Sequence, residues 1–193
     1  MALEAPLLLT FCADFHRMRL WLEQSEAPAN FDNFMSFLIA AIDAVLASQN
    51  AALAAESEGL GICFMGTTLA SCREIARILR CPSQVVPVAG FVLGYPAEEG
   101  PLRDRLPLEA LVHRETYQDF TPEAIAAQYA EREQAGWKRY MKIPELREAA
   151  LAAGAKNLAQ VYTKAKYTRD SHVDFSRNVL ACLEEQGFFR HDP

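Results

Sequence analysis

One long helical pattern, from Phe31 to Glu58, constrains the fold more than any other stretch of the sequence. Its apolar residues recur every three or four positions, the spacing of one α-helical face. They are Phe34, Phe37, Leu38, Ala41, Val45, Ala52 and Leu53, and the stripe is widened by Ile39, Ile42 and Leu46. A helix that is apolar on nearly all sides is predicted to be either central or pressed between two subunits.

Short apolar runs on both sides of this helix indicate β-strands. Pro6–Ala13, Ile62–Met65 and Val85–Leu93 are brief and bounded by turn residues. Gly59 and Gly61 are expected to end the long helix, because glycine adopts the left-handed conformation of a helix C-terminus at little cost. Strands together with long helices predict an α+β fold.

The remaining helices of the first half are shorter. Phe15–Gln24 is expected to form a short helix or an irregular segment, and Leu69–Leu79 has the pattern of an amphipathic helix. Asn30 or Asp32 is expected to cap the long helix by accepting a hydrogen bond from a first-turn N–H.

The second half reads as a series of polar helices. Thr121 followed by proline predicts a helix start, and this helix should run to about Ala135, before Gly136. Pro144 opens another helix, which should end near Gly154.

The last predicted helix is capped by Asp170 or Ser171 and ends at Gly187. Two phenylalanines follow it, Phe188 and Phe189. Exposed aromatic side chains are costly, so we expect both to dock on another surface, such as a partner chain.

A length of 193 residues with 51% hydrophobic residues fits one domain with a substantial core. We predict a single domain over residues 1–193, with residues 113–170 as a helical excursion and residues 171–193 as a C-terminal helix and tail.

Composition and local patterns exclude several classes of protein. A net charge of −6 argues against a general nucleic-acid binder. The most apolar run, Phe34–Ala47, is interrupted by Asp43 and is shorter than the ~20 residues of a membrane span, and the start lacks the basic region of a signal peptide. Five cysteines without a CxxC pair indicate free thiols in the cytoplasm, and the histidines lack metal-ligand spacing.

Three segments could bind an anion or a planar ligand. Arg103 and Arg105 could converge on one phosphate, but a solvated charged loop in which Asp104 neutralises one arginine is the simpler interpretation of the residues alone. Gly66 with its two following threonines could let a planar ligand approach the backbone, or could be a strand-to-helix turn that needs glycine. The basic segment Thr163–Arg169 could bind a dinucleotide phosphate, and a solvated loop is the simpler interpretation.

Taken in order, several of these segments resemble the nitroreductase family. The similarity runs from about Pro6 to Val112 and returns near the C-terminus. The segments that carry it are FCAD (Phe11–Asp14), DAVLASQNAALAAESEGLGICFMG (Asp43–Gly66), CPSQVVPVAGFVLGYPAE (Cys81–Glu98), RDRLPLEALVH (Arg103–His113) and LEEQGFF (Leu183–Phe189). The branch that these segments resemble is that of the oxygen-insensitive NADPH nitroreductases and flavin reductases.

The resemblance implies a central mixed or antiparallel sheet flanked by helices, in an intertwined homodimer that binds FMN at its interface. It implies transfer of hydride from NAD(P)H through the flavin to a small-molecule acceptor, either a nitroaromatic, a quinone or free flavin. No catalytic side chain and no metal are implied, because the cofactor supplies the chemistry. Neither a membrane nor a nucleic acid is an expected partner.

Residue by residue, the family's motif for the FMN phosphate matches Arg103 and Arg105. The segment beside the flavin ring matches Met65, Gly66 and Thr67, where Thr67 stands in place of the family's second glycine. Family members also carry some tens of residues ahead of the strand that matches Pro6–Ala13, and these complete the flavin site. The alternative expectation is therefore a non-catalytic, dimeric homologue whose flavin site is weakened or lost.

Overall fold

The computed structural model describes residues 4–98, 100, 102 and 105–191. The chain divides into two compact units. The first consists of Met1–Glu99 with Val173–Pro193, and the second of Gly100–His172.

Unit 1 combines a small sheet with four helices. Its strands are β1 (Leu7–Asp14), β2 (Gly61–Phe64) and β3 (Val85–Gly94). Its helices are α1 (His16–Gln24), α2 (Phe34–Ser57), α3 (Cys72–Ile78) and, from Val173 onwards, α7 (Arg169–Glu185). The strands and the long helix lie where the sequence predicts them, whereas the amphipathic segment Leu69–Leu79 is helical only over α3.

Both ends of α2 are explained by local hydrogen bonds. The Asn33 side chain accepts a bond from Ser36 N at 3.3 Å, so Asn33 is the cap, and the prediction of Asn30 or Asp32 is wrong by a few residues. At the other end Gly59 has a φ of 76°, and Leu60 N donates to Ala55 O at 3.0 Å. The expected glycine C-terminus is confirmed.

The sheet is antiparallel, with the order β1-β3-β2. Its central strand contains Pro87, which has no N–H to donate to a neighbour. Two features accommodate this proline. The register between β1 and β3 shifts at Phe11/Cys12, opposite this point, and β2 pairs only with Phe91–Gly94. The expected α+β class, with an antiparallel sheet flanked by helices, is confirmed.

One face of α2 packs on the sheet and the opposite face is exposed. The buried residues are small apart from one aromatic ring and recur at helical spacing: Ser36, Phe37, Ala40, Ala44, Ser48 and Ala52. The exposed face carries large apolar residues: Met35, Ile39, Ile42, Leu46 and Leu53.

In the part of the chain that the structure describes, α2 is the one helix long and apolar enough to cross a membrane, by length and composition alone. It has 24 residues and extends beyond the apolar run Phe34–Ala47 on which the sequence expectation was based.

The main core of unit 1 lies among α2, α3, α7 and the sheet. Its buried residues are Ala13, Phe37, Ala40, Cys72, Val86, Cys182, Leu183 and Phe188. Phe188 is completely buried, and its ring lies 5.7 Å from that of Phe37. The expectation that Phe188 docks is confirmed, but it docks on its own chain, because Gly187 with a φ of 77° turns the chain back.

Unit 2 is helical. Its elements are a 3₁₀ turn (Leu108–Ala110), α4 (Pro122–Lys142), α5 (Pro144–Ala152), α6 (Leu158–Val161) and a π-helical turn (Tyr162–Lys166). Its core residues are Tyr140, Ala150, Ala155, Leu158 and Val161. Thr121 caps α4 by accepting a bond from Ala124 N, and Gly154 follows α5 with a φ of 62°, both as predicted.

Three predictions for this half are wrong. The helix from Thr121 continues through Gly136 to Lys142, and Gly136 is buried against Leu158. Its role is close packing and not helix termination.

The basic segment Thr163–Arg169 is not a loop, because Tyr162–Lys166 forms the π-helical turn. The last helix begins at Arg169, and the Thr168 hydroxyl accepts a bond from Ser171 N at 3.3 Å. Thr168 therefore provides the cap that was expected from Asp170 or Ser171. The single-domain organisation with residues 113–170 as an excursion stays a prediction, as does the homodimer.

Replacing Gly136 with alanine should destabilise the protein by about 1–3 kcal/mol, because the new methyl group would overlap Leu158 Cδ2 and lie 3.1 Å from its Cδ1. This cost should outweigh the gain of about 1 kcal/mol in helix propensity. Urea denaturation measures it. In a Leu158→Ala background the same change should be neutral or stabilising, and stabilisation in the wild-type background would contradict the packing described.

Candidate functional site

The predicted flavin-ring segment, Met65 to Thr67, leaves the sheet at the end of β2. Met65 N donates to Gly90 O at 2.8 Å, which extends the pairing of β2 with β3 by one residue. The Met65 carbonyl then accepts the Thr68 hydroxyl at 3.0 Å. Because Thr68 is buried, this bond fixes the turn that follows the strand.

Gly66 is exposed at this turn, and its backbone has no positive φ. A Cβ added to it would meet no described atom within 4 Å. Neither the backbone conformation nor internal packing therefore requires a glycine here. What the glycine provides is a bare backbone surface, which a flat ring can approach closely.

Thr67 is also exposed, and its carbonyl accepts a bond from Ser71 N at 3.0 Å, at the approach to α3. The three residues of the predicted ring site are thus held by backbone bonds to β3 and to the start of α3. They fit the approach of a planar group along Gly66.

Of the two predicted phosphate residues, Arg105 is described and lies in unit 2. Arg105 is exposed and already takes part in an interaction within the protein. It precedes Pro107, where the short 3₁₀ turn begins. Arg103 lies outside the described residues. The joint role of these two arginines at one phosphate stays a prediction.

The basic segment of unit 2 is more ordered than a solvated loop. Lys166 Nζ lies 5.1 Å from the centre of the Tyr167 ring and 6.0 Å from that of Tyr140. Burial lowers the pKa of Lys166, but hydrogen bonds from its ammonium to the Tyr167 and Tyr140 side chains outweigh this and raise it. Lys164 Nζ donates to Gly154 O at 3.4 Å, so this lysine too is engaged.

The larger cavities of unit 1 lie elsewhere. One, of about 520 Å³, is lined by β1, α1 and α2, with Asp14, Arg17, Trp21 and Asp43 among its residues. Another of about 520 Å³ is lined by residues near the N-terminus, by β2 and by the end of β3. Neither includes Met65, Gly66 or Thr67.

The sequence did not predict the first of these cavities. The segment that forms α1 shows only an alternation of basic and apolar residues, which does not indicate a cavity. Its lining is assembled from three separate elements, and no local spacing in the sequence brings Asp14 close to Asp43.

Comparison with known proteins places these observations in a family. The Nitroreductase family model matches residues 4–95. The chain is 40% identical over 116 residues to an FMN reductase [NAD(P)H] of Bacillus subtilis, a match that covers 59% of this chain and 47% of the relative. It is 35% identical over 128 residues to the oxygen-insensitive NADPH nitroreductase of Salmonella typhimurium. This match covers 66% of this chain and 51% of the relative.

Solved structures match nearly the whole chain. A candidate oxidoreductase from Bacteroides fragilis superposes with a TM-score of 0.85 at 38% identity, covering 97% of this chain and 73% of that one. The Bacillus megaterium protein NfrA2 gives a TM-score of 0.78 at 33% identity. This match covers 98% of this chain and 71% of NfrA2.

The protein therefore belongs to the nitroreductase family, as the sequence motifs indicated. It spans about half the length of the curated relatives that it matches.

Replacing Gly66 with alanine should change the free energy of unfolding by no more than about 0.5 kcal/mol, because the added methyl group enters open space. Gly94→Ala is the matched control, since its Cβ would lie 2.7 Å from Pro6 Cδ. We expect that variant to lose about 1–3 kcal/mol in chemical denaturation. Equal losses in the two variants would mean that the fold itself requires Gly66.

Proposed function

We propose that this protein is an FMN-dependent oxidoreductase that takes hydride from NAD(P)H. The observation that carries the proposal is Gly66, an exposed glycine that the chain's own fold does not require. The motif resemblance implies that this position lies beside the flavin. Relatives named as FMN reductases and as an NADPH nitroreductase support the same cofactors.

The chain's residues would bind and orient the cofactor. Met65, Gly66 and Thr67 would lie along the ring, with the backbone at Gly66 allowing close approach. Arg103 and Arg105 would hold the phosphate, since guanidinium groups pair well with phosphate oxygens. FMN, when bound, supplies the hydride chemistry itself, so the protein needs no acid–base pair of its own.

The acceptor is proposed to be a nitroaromatic compound, a quinone or free flavin. These acceptors share a flat, electron-poor ring, which suits an open surface such as that at Gly66. The opposing proposal is a non-catalytic homologue without an effective flavin site. It is favoured by the position of Met65–Thr67 outside both larger cavities of unit 1.

Titration with FMN and with riboflavin, followed by flavin fluorescence, separates these proposals. Arg105→Ala should weaken FMN binding about 10- to 100-fold, because one charge-assisted contact with phosphate contributes about 1.5–3 kcal/mol. Riboflavin lacks the phosphate, so its affinity should be unchanged. Arg147→Ala, which removes an exposed arginine of α5, should leave both affinities unchanged.

The enzymatic proposal is supported if the protein binds FMN and oxidises NADPH or NADH. The oxidation is measured as the loss of absorbance of the reduced nicotinamide. A wild-type protein that binds neither flavin would support the non-catalytic homologue. An equal loss of FMN and riboflavin affinity in Arg105→Ala would remove the phosphate role from this residue.

We also propose that the protein acts as a homodimer through the exposed face of α2. Met35, Ile39, Ile42 and Leu46 follow one another at intervals of three and four residues, so they form one continuous stripe. A contiguous apolar stripe on a soluble fold is typical of a protein interface. The sequence analysis raised a position between two subunits for this helix on the same ground, namely that apolar residues occur on nearly all of its sides.

Ile42→Glu should convert the dimer to a monomer, because a symmetric interface would bury two unpaired carboxylates. We expect the dimer dissociation constant to rise at least about 100-fold, as measured by analytical ultracentrifugation. Leu151→Glu is the control, because Leu151 is exposed to a similar extent, 59% against 53% for Ile42, on another helix. A wild-type monomer at micromolar concentration, or an unchanged dimer in Ile42→Glu, would contradict the proposal.

A further inference from the structure

Two buried cysteines meet where α3 packs on α7. Cys72 is the first residue of α3, and Cys182 lies one turn before the end of α7. The two residues are 0% and 1% exposed and belong to the same buried core cluster, where each thiol is the largest influence on the pKa of the other. Nothing in the flavin chemistry proposed above uses them.

Polar contacts hold the two helices together on either side of this thiol pair. Four residues before Cys182, Asn178 Nδ2 donates to Ala70 O and lies 3.4 Å from Glu74 Oε2. Three residues after Cys182, Glu185 forms a two-pronged ion pair with Arg73, with Nε to Oε2 at 2.9 Å. The separation of the helices at the thiols is therefore set by independent contacts.

The two thiols differ in acidity. Interaction with the Cys182 thiol, together with N–H groups at the start of α3, lowers the pKa of Cys72. Interaction with Cys72, together with burial, raises the pKa of Cys182. Cys72 is thus the member of the pair that carries thiolate character, and the thiolate is the reactive form of cysteine.

A small cavity reaches Cys182. It has a volume of about 110 Å³, and its lining also includes Arg73, Arg77, Arg80 and Glu185. A water molecule takes up about 30 Å³ in the liquid, so this cavity can admit a molecule of the size of hydrogen peroxide. Glu185 pairs with Arg73 and Arg77, but three arginines against one glutamate still favour negative charge on sulfur or on a departing hydroxide.

We propose that Cys72 and Cys182 are a site of reversible oxidation, which hydrogen peroxide converts to an intrachain disulfide. Cys182 is the member of the pair that lines the cavity, so its sulfur reacts first. Its proton passes to the Cys72 thiolate while the Cys182 sulfur attacks one peroxide oxygen, the O–O bond breaks and hydroxide leaves, which gives a sulfenic acid. That hydroxide takes the proton back from Cys72 and becomes water. The Cys72 thiolate then attacks the Cys182 sulfur and displaces a second hydroxide, which is protonated to water. The pair loses two electrons and two protons, and a dithiol reductant reverses the step.

The other cysteines provide internal comparisons. Cys12 and Cys81 also influence the pKa of each other, but burial raises the pKa of both, that of Cys12 to about 11. Their thiolate population at neutral pH is therefore small. Cys63 is exposed and reports on the general oxidation of an accessible thiol.

The experiment treats the purified full chain with a small molar excess of hydrogen peroxide, removes the peroxide, alkylates the protein in denaturant without reductant and maps its peptides by mass spectrometry. We expect a linked Cys72–Cys182 peptide, lighter than the two thiol peptides by the mass of two hydrogen atoms, while Cys12 and Cys81 are still alkylated. The link closes a chain segment that contains all of unit 2. It should raise the midpoint of thermal unfolding by about 5–15 °C, reversibly with dithiothreitol.

Cys182→Ala should abolish both the linked peptide and the peroxide-induced rise in midpoint, whereas Cys81→Ala should keep both. Circular dichroism establishes that each variant is folded. The proposal is overturned if Cys72 and Cys182 of the wild-type protein remain alkylatable after Cys63 has been oxidised. It is also overturned if the Cys12–Cys81 link forms first.

Discussion

The packing of α2 on the antiparallel sheet is the contact on which the rest of unit 1 depends. The face towards the sheet carries alanines and serines around one large ring, Phe37, so the helix backbone can lie close to the strands. Phe188 then closes this core from the C-terminal side. A fully buried aromatic side chain contributes about 1.5–3 kcal/mol, which explains why the last residues of the chain are part of the fold.

This arrangement also determines which surface remains for binding. Because the small residues of α2 face inwards, its large apolar residues face outwards, and the helix that anchors the core presents the most apolar exposed surface of the unit. At the end of β2, the turn through Gly66 is held by bonds to β3 and α3, so it can present a bare backbone without loss of order. The unit thus combines a well-packed interior with an exposed apolar helix face and an exposed glycine turn.

Much of unit 1 could be predicted from local pattern. The three strands and α2 were recognisable from short apolar runs and from a three-to-four-residue repeat, and Gly59 from its place at the end of that repeat. The second half was harder, because glycine has two uses that look alike in a sequence. Gly154 and Gly187 adopt a left-handed φ after a helix, whereas Gly136 lies inside one to make room for Leu158. Only knowledge of the facing residue distinguishes these cases. The predicted ring residues were identified through family motifs, and residue chemistry alone left Gly66 as an ordinary turn.

By itself, the sequence determined the α+β class, the order of the main elements and membership of the nitroreductase family, because periodicity and ordered motifs are local properties of the chain. The tertiary structure decided what distant segments do together. It directed the small face of α2 to the sheet and its large residues outwards, it buried Phe188 in its own chain, and it brought Cys72 against Cys182. Contacts between residues far apart in the chain depend on how the elements pack in three dimensions, and no spacing along the sequence encodes them directly.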